Sequence, residues 1–545
     1  MSLPLQANER WLTESYWSAD RSVPLIAHTV GDLLTLRALE RPNREAVVGI
    51  RHSDGTLTRL TYGELFDEAL RVATALTRLV APGDFVALWA PNVVEWTIIQ
   101  YGAALAGVVL VALNPVLRES ELEYALRHCR APLLLHADAC RHYNMAEVAT
   151  RVCAGIPGVL CVSLSDTQMW RSTTADPEMV RRGPKNSQLP VMLQYTSGTS
   201  GRPKAVLLTH QALVNVAKLT MEAVGVQESA VCVNPLPLFH TAGCVIATLG
   251  PLWLGGTSVI CERFEPAALL MTLRVENAEV LFYVPAVLDA LLVHQRATGH
   301  EPPSPRIMLG GASTVSPDLI DGATSTFNTN VVNVYGQTEL ASVVTATRPT
   351  DARHEQLFSV GRPLPHVDCK IIDPATGEVL AVDQVGEICA RGYQQLVEYL
   401  HDPEASARAL DPEGFVRTGD LGAMDSRGFL TVVGRLKELI IRGGENIAPV
   451  DIEGVVSQHY RIAEVIAVGL PDKRLGEIAA AVCRITSGPL SGLKDSLVEH
   501  ARASLAPFKV PQRWFVAESF PTTPTGKVQR FAIRDAIVNG ELLEL

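Results

Sequence analysis

Between Thr61 and Leu135, short apolar runs alternate with stretches that carry helix-start signals, and this alternation constrains the fold more than any other feature of the chain. Thr61 with Glu64 forms a capping-box pattern ahead of Leu65, Ala69, Val72, Leu76 and Leu79 at helical spacing, so a one-sided helix is expected. Residues 81–84, APGD, make a turn. Residues 85–89 read as a buried strand, and a second capped helix is expected from Asn92 with Glu95. A strand over residues 107–113, a third helix from about Ser120 with Glu123, and a strand over residues 131–135 complete a β-α-β-α order. Strands connected in this way pair in parallel, which makes this part a layered α/β domain.

A chain of 545 residues exceeds what a single core supports, so more than one domain is expected. The segment from Met169 to Pro190 is polar and reads as a surface excursion. Thr209 is placed to cap a helix running to about Glu222, and strands are expected over residues 231–234, 276–284, 306–309 and 330–334. Beyond Thr350 the texture changes to shorter alternating strands with Gly, Pro and Asp turns, as in VDCKIIDPATGE and GEICARG, which suggests a small β-barrel-like part. A fresh run of α and β elements begins between Gly434 and Pro449, and a domain boundary is placed there.

Composition narrows the function classes. Hydrophobic residues at 47% and charged residues at 19% suit a large interior, which excludes disorder as the main state. A net charge of −11 argues against a nucleic-acid-binding surface. The ten cysteines include no CxxC pair, so neither a zinc site nor a disulfide framework is signalled, and a reducing, cytoplasmic setting is expected. The N-terminus lacks a basic segment followed by an apolar one, so no secretory signal is expected.

Chemistry concentrates in a few turns. In YTSGTSGRPK, residues 195–204, the hydroxyl residues Thr196, Ser197, Thr199 and Ser200 are interleaved with Gly198 and Gly201, so backbone amides and hydroxyls can approach one anion together. Lys204 adds a point charge. The spacing is not the GxxxxGK[ST] consensus, and apolar runs on both sides predict a loop between two strands rather than a strand-to-helix loop. In Tyr335-Gly336-Gln337-Thr338-Glu339, an aromatic face for a base, a hydroxyl for a phosphate and a carboxylate for Mg²⁺ fall within one turn. Gly310-Gly311-Ala312, Thr418-Gly419-Asp420, GRLKE with Arg435 and Lys437, and PTGK ending at Lys527 each read alone as plain turns or solvated charges.

Together, YTSGTSGRPK, PLFHTAG, GGAS, YGQTE, TGD, GRLKELIIRGGENIAP and PTGK, in this order from Thr29 to Arg530, resemble the adenylate-forming superfamily. That superfamily contains acyl-CoA synthetases, aryl-CoA ligases, luciferases and peptide-synthetase adenylation domains. The resemblance implies a large N-terminal domain over residues 1–434, a hinge over 435–439, and a smaller mobile α+β C-terminal domain over 440–545. It implies that residues 196–204 cradle the β- and γ-phosphates of ATP and that Tyr335 stacks on adenine beside Gly310, Gly311 and Ala312, within the Gly336–Gln337 turn. Thr338 and Glu339 would serve phosphate and Mg²⁺, Asp420 with Arg435 would hold ribose, and Lys527 would bridge the α-phosphate and the substrate carboxylate. Phe239, His240, Val334, Gly336 and Val343 would line the acyl pocket, with His240 as its gate. Lys437 would be the pivot, and Gly443 and Gly444 would leave room for the pantetheine arm of coenzyme A.

No acid lies between Asn234 and Glu262, unlike amino-acid-activating domains, and the interval from Glu339 to Thr418 looks uninserted, unlike fatty-acyl-adenylate ligases. The chain thus reads as an ATP-dependent acyl-CoA ligase for a fatty acid. An aryl-CoA ligase, a carrier-protein-loading ligase and a non-catalytic binding relative are the alternatives. The small-molecule acid, ATP and coenzyme A are the expected partners, and peripheral membrane contact and a homodimer are left open.

Overall fold

The computed structural model describes residues 11–196, 203–313, 315–442, 445–522 and 528–545. Two compact units divide the chain. The larger comprises Trp17–Cys369 and Ala390–Val416; the smaller comprises the described residues up to Tyr16, Lys370–Cys389 and Arg417–Leu545.

The larger unit is built on two sheets. One runs in the order Glu398–Tyr399, Lys204–Thr209, Pro190–Thr196, Val109–Leu113, Phe85–Trp89, Leu133–His136, Leu160–Ser163. Its last five strands are parallel, and Lys204–Thr209 pairs antiparallel with both neighbours. The other sheet has nine strands, and its parallel centre runs Asn330–Tyr335, Ile307–Gly311, Val280–Tyr283, Val231–Asn234, Thr257–Ile260, Glu45–Ile50. Parallel strands are covered on both faces, which is why they read as continuous apolar runs.

The expected helix occupies Tyr62–Leu79. Glu64 N donates to Thr61 Oγ1, and Thr61 N returns the bond to Glu64 Oε2 at 2.8 Å. Leu65, Ala69, Val72 and Leu76 are buried, as the spacing requires. Thr209 likewise caps His210–Ala223.

Two helix starts differ from expectation. The second helix is Val94–Ala106 and has no side-chain cap. Every residue of it is buried, so the polar groups at its entrance serve neighbouring turns instead of its own amides. Asn92 Nδ2 donates to Leu236 O at 2.9 Å and Cys261 O at 3.1 Å, and its Oδ1 accepts from Leu238 N at 2.9 Å. Glu95 accepts from His52 N. The third helix is Glu119–Cys129; Arg118 N donates to Glu121 Oε2 at 2.7 Å, while Glu123 pairs with Arg127. The stretch from Met169 to Pro190 also departs from a plain surface excursion, because Trp170 is fully buried with Nε1 donating to Leu164 O at 3.1 Å.

The short alternating strands beyond Thr350 enter a five-stranded sheet in the order Tyr16–Trp17, Val367–Ile372, Gly386–Gly392, Val416–Met424, Leu430–Arg435. Further along the smaller unit, a sheet centred on Gly476–Ile485 carries helices on both faces. Period-two alternation sorts its side chains: Val465, Ala467, Ala479 and Ala481 face helices Pro449–Val456 and Leu493–Ser504, while Ile466, Val468, Ala480 and Val482 face helix Arg530–Val538. Among the described residues, no helix is long and apolar enough to cross a membrane.

One buried titratable group sets a pH dependence for the larger unit. His210 Nδ1 accepts from Val30 N at 3.2 Å, and burial pushes the imidazole down to about 4, only partly opposed by Asp32. Between the ordinary histidine value of about 6.5 and that value, the unfolded chain takes up a proton that the folded chain refuses. Stability is therefore expected to fall as pH drops through this window, by up to about 3 kcal/mol from this group. Urea midpoints at pH 7 and pH 5 check it: His210→Asn should reduce the difference, and an unchanged slope in that variant contradicts the assignment.

Candidate active site

The two strands that flank the glycine-rich loop form a hairpin, with Tyr195 opposite Ala205 and Thr196 opposite Lys204. This is the strand-to-strand connection expected from the sequence, and it excludes a strand-to-helix phosphate loop. The hairpin is anchored at its mouth, where Tyr195 OH donates to Ala125 O at 2.9 Å and lies 3.2 Å from His128 Nδ1. Ser197, Gly198, Thr199, Ser200 and Gly201 lie outside the described residues, as do Gly443, Gly444 and Lys527.

Lys204, at the exit of the loop, places Nζ 4.3 Å from the centre of the Tyr399 ring. The hydroxyl of the same tyrosine donates to Glu339 Oε1 at 2.9 Å, and Leu396 N donates to Glu339 O at 2.8 Å. Burial, and then the Glu339 charge, push the Tyr399 phenol up, so it stays a donor at neutral pH. The structure thus brings the proposed phosphate lysine to the face of this tyrosine and the proposed metal carboxylate to its hydroxyl. Tyr399 carries no signal in the sequence, because its place is set by the pairing of Glu398–Tyr399 with an edge strand some 190 residues earlier in the chain.

The other turns of the larger unit sit at the carboxyl ends of parallel strands, where open α/β sheets bind ligands. Gly310 and Gly311 end the strand Ile307–Gly311, with Gly310 beside Asn333 and Gly311 beside Val334. A Cβ on Gly310 would stand 2.0 Å from Tyr283 O, so only glycine fits this close approach. Ala312 follows at φ 70°. Tyr335 closes the next strand, and Thr338, Glu339 and Leu340 form a single 3₁₀ turn. Gly336 packs on the chain at Ser342 and Val343, where a Cβ would meet Ser342 O at 1.9 Å. The Nε2 of Gln337 is buried with no partner among the described residues, a donor left over beside Tyr335.

Phe239 and His240 follow strand Val231–Asn234, their ring centroids 4.5 Å apart. Burial pushes the His240 imidazole down to about 4, so it is neutral at physiological pH. The Asn92 amide fixes the turn from both sides through Leu236 and Leu238. The chain then enters a π-helical turn, Ala242–Ile246, with His240 O accepting from Gly243 N and Cys244 N at 2.9 Å each. Such turns are frequent at functional sites. Val343 is buried and Val334 half-buried, and the latter pairs with Ala346.

In the smaller unit, Asp420 and Arg435 are register partners on neighbouring strands, and Arg435 Nε meets Asp420 Oδ1 at 3.0 Å. The TGD turn is held from below by Thr418 Oγ1 donating to Ile388 O at 2.7 Å and Gly419 N donating to Glu387 Oε1 at 3.1 Å. Lys437 is the middle residue of a 3₁₀ turn, Leu436–Glu438. Its neighbour Glu438 meets Arg530 Nε at 3.2 Å, and Arg530 also forks onto Glu453.

Comparison with known proteins agrees with this architecture. The family described as AMP-binding enzyme matches residues 34–400, and the AMP-binding enzyme C-terminal domain matches residues 451–527. The chain is 31% identical over 543 residues to the putative acyl-CoA synthetase YngI of Bacillus subtilis (strain 168), covering 94% of this chain and 98% of that protein. It is 31% identical over 556 residues to the mitochondrial medium-chain acyl-CoA ligase ACSF2 of Rattus norvegicus, covering 96% and 89%. Among solved structures, the fatty acyl CoA synthetase of Mycobacterium tuberculosis superposes with a TM-score of 0.71 at 28% identity, over 94% of this chain and 99% of that one. These matches place the chain in the AMP-binding enzyme family, in its acyl-CoA synthetase branch, as an ATP-dependent, AMP-forming acid–thiol ligase.

Proposed function

We propose that this ligase activates a fatty acid of medium or longer chain, first as the acyl-adenylate and then as the acyl-CoA thioester. The observation that carries the choice of acid is the neutral, half-buried His240 packed at a tilt against the Phe239 ring, with no acidic residue between Asn234 and Glu262 to hold a substrate amine. An apolar set of this kind, with Val334 and Val343, suits an alkyl chain. The names of the rat and mycobacterial relatives point the same way.

Mg²⁺ fits the carboxylate found here. Glu339 Oε1 is taken by Tyr399, while Oε2 has no partner among the described residues. Mg²⁺ is commonly held by one or two carboxylates together with substrate phosphates, so Glu339 is the residue that would hold it. Bound there, it would neutralise phosphate charge. The chain's own groups do the rest: Lys204 and the loop amides bind the β- and γ-phosphates, Tyr335 offers its ring to adenine, and Gln337 Nε2 is a spare donor for the base. Asp420, oriented by Arg435, accepts from ribose hydroxyls, and Lys527 brings a cation to the reacting carboxylate and α-phosphate. Residues 1–434 form the adenylating domain in this reading, and residues 440–545 turn about a hinge at 435–439 to admit the thiol past Gly443 and Gly444.

Pyrophosphate release with saturated acids of graded length, with and without coenzyme A, tests the proposal. Turnover should rise from short to medium or longer chains, and benzoate should be a poor substrate. A preference for aromatic acids, or acyl transfer only to a carrier protein, contradicts it.

A further inference from the structure

Tyr399 touches two oppositely charged side chains, one at its ring face and one at its hydroxyl, that the proposed function assigns to one phosphate chain. Its position is fixed through the backbone. Val206 lies opposite Tyr399 across the edge pairing, Val397 N donates to Leu207 O and Leu400 N to Ala205 O at 2.8 Å each, and Leu396 N holds Glu339 O on the other side. The ring is buried, its face toward Lys204 Nζ at 4.3 Å and its hydroxyl on Glu339 Oε1 at 2.9 Å.

An ammonium and a carboxylate that come into contact attract strongly in a partly desolvated site, and a direct pair neutralises both. The ring removes that option while leaving each group usable. Its negative face attracts the ammonium without consuming any of its three N–H donors. Its hydroxyl occupies one carboxylate oxygen and leaves the other open. We propose that Tyr399 is a positioning residue that keeps Lys204 and Glu339 apart and aimed, Lys204 at phosphate oxygens and Glu339 Oε2 at the divalent cation that accompanies them. The proposal rests on the phosphate and metal reading given above.

The hydroxyl and the ring are separable. Tyr399→Phe keeps the ring under Lys204 and loses the bond to Glu339; Tyr399→Leu loses both. Mn²⁺ affinity, measured by electron paramagnetic resonance in the presence of a non-hydrolysable ATP analogue, is the first readout. Affinity for the analogue itself at saturating Mn²⁺ is the second. Tyr399→Phe should weaken Mn²⁺ about 10-fold, the usual scale for losing a partner that orients a metal ligand, with analogue affinity kept. Tyr399→Leu should weaken both. Glu339→Gln is the reference. If Glu339→Gln leaves Mn²⁺ affinity at the parent value, the metal reading is wrong and the role of Tyr399 falls with it. If Glu339→Gln weakens Mn²⁺ and Tyr399→Phe does not, the metal reading stands and the positioning role is overturned.

Discussion

Lys527→Ala is expected to lower acyl-adenylate formation by about 100-fold or more while leaving thioester formation from supplied acyl-AMP and coenzyme A close to the parent rate. Attack of a carboxylate on the α-phosphate brings anion toward anion, so a cation at the reacting oxygens stabilises the transition state more than the ground state. The second half-reaction has no such need, because the mixed anhydride is already activated. Lys527 stands three residues before Arg530, whose guanidinium is tied to Glu438 and Glu453 and donates to Ala467 O at 2.8 Å. The chain that follows the lysine is thus firmly based in its own domain. Pyrophosphate exchange and thioester formation are measured separately on the same preparation, and normal exchange in the variant contradicts the assignment.

Lys437→Pro and Gly444→Leu are expected to show the converse pattern, with pyrophosphate exchange kept and thioester formation suppressed, so that acyl-AMP accumulates on the enzyme. Lys437 lies in a 3₁₀ turn between strands Leu430–Arg435 and Ile440–Arg442. Proline fixes φ near about −65°, close to the 3₁₀ value, and so favours this geometry while blocking a pivot to another. Gly444→Leu is expected to leave the pivot free and to fill the passage proposed for the thiol. The two variants are told apart by proteolysis: only Gly444→Leu should retain the change in protease sensitivity on adding coenzyme A. Acyl-CoA formation at the parent rate in either variant contradicts domain alternation about this hinge.

Elements whose signal is local were legible in the sequence. Thr61 and Thr209 cap the helices that follow them, and the residues around Phe85–Trp89 and Val231–Asn234 form the strands their apolar runs indicate. The hairpin nature of the glycine-rich loop was also legible, since apolar runs of strand length stand on both sides of it. What escaped was decided by tertiary contact. Asn92 has the residue type and spacing of a cap, but the carbonyls of Leu236 and Cys261 claim its amide because the helix behind it is buried all round. Trp170 sits in a polar stretch whose composition hides a single aromatic anchor. Tyr399 touches Lys204 and Glu339 only because an edge strand pairs across a long sequence separation, and no periodicity carries that information.

The central claim is two-step activation of an acyl chain through an enzyme-bound adenylate. Purified protein, ATP, Mg²⁺ and dodecanoate are incubated without coenzyme A, and bound nucleotide and pyrophosphate are quantified after rapid quenching. The account predicts a burst of one pyrophosphate and one dodecanoyl-AMP per active site, followed on adding coenzyme A by conversion of that adenylate to dodecanoyl-CoA and AMP. Release of ADP and orthophosphate, or a strict requirement for coenzyme A before any pyrophosphate appears, would contradict it.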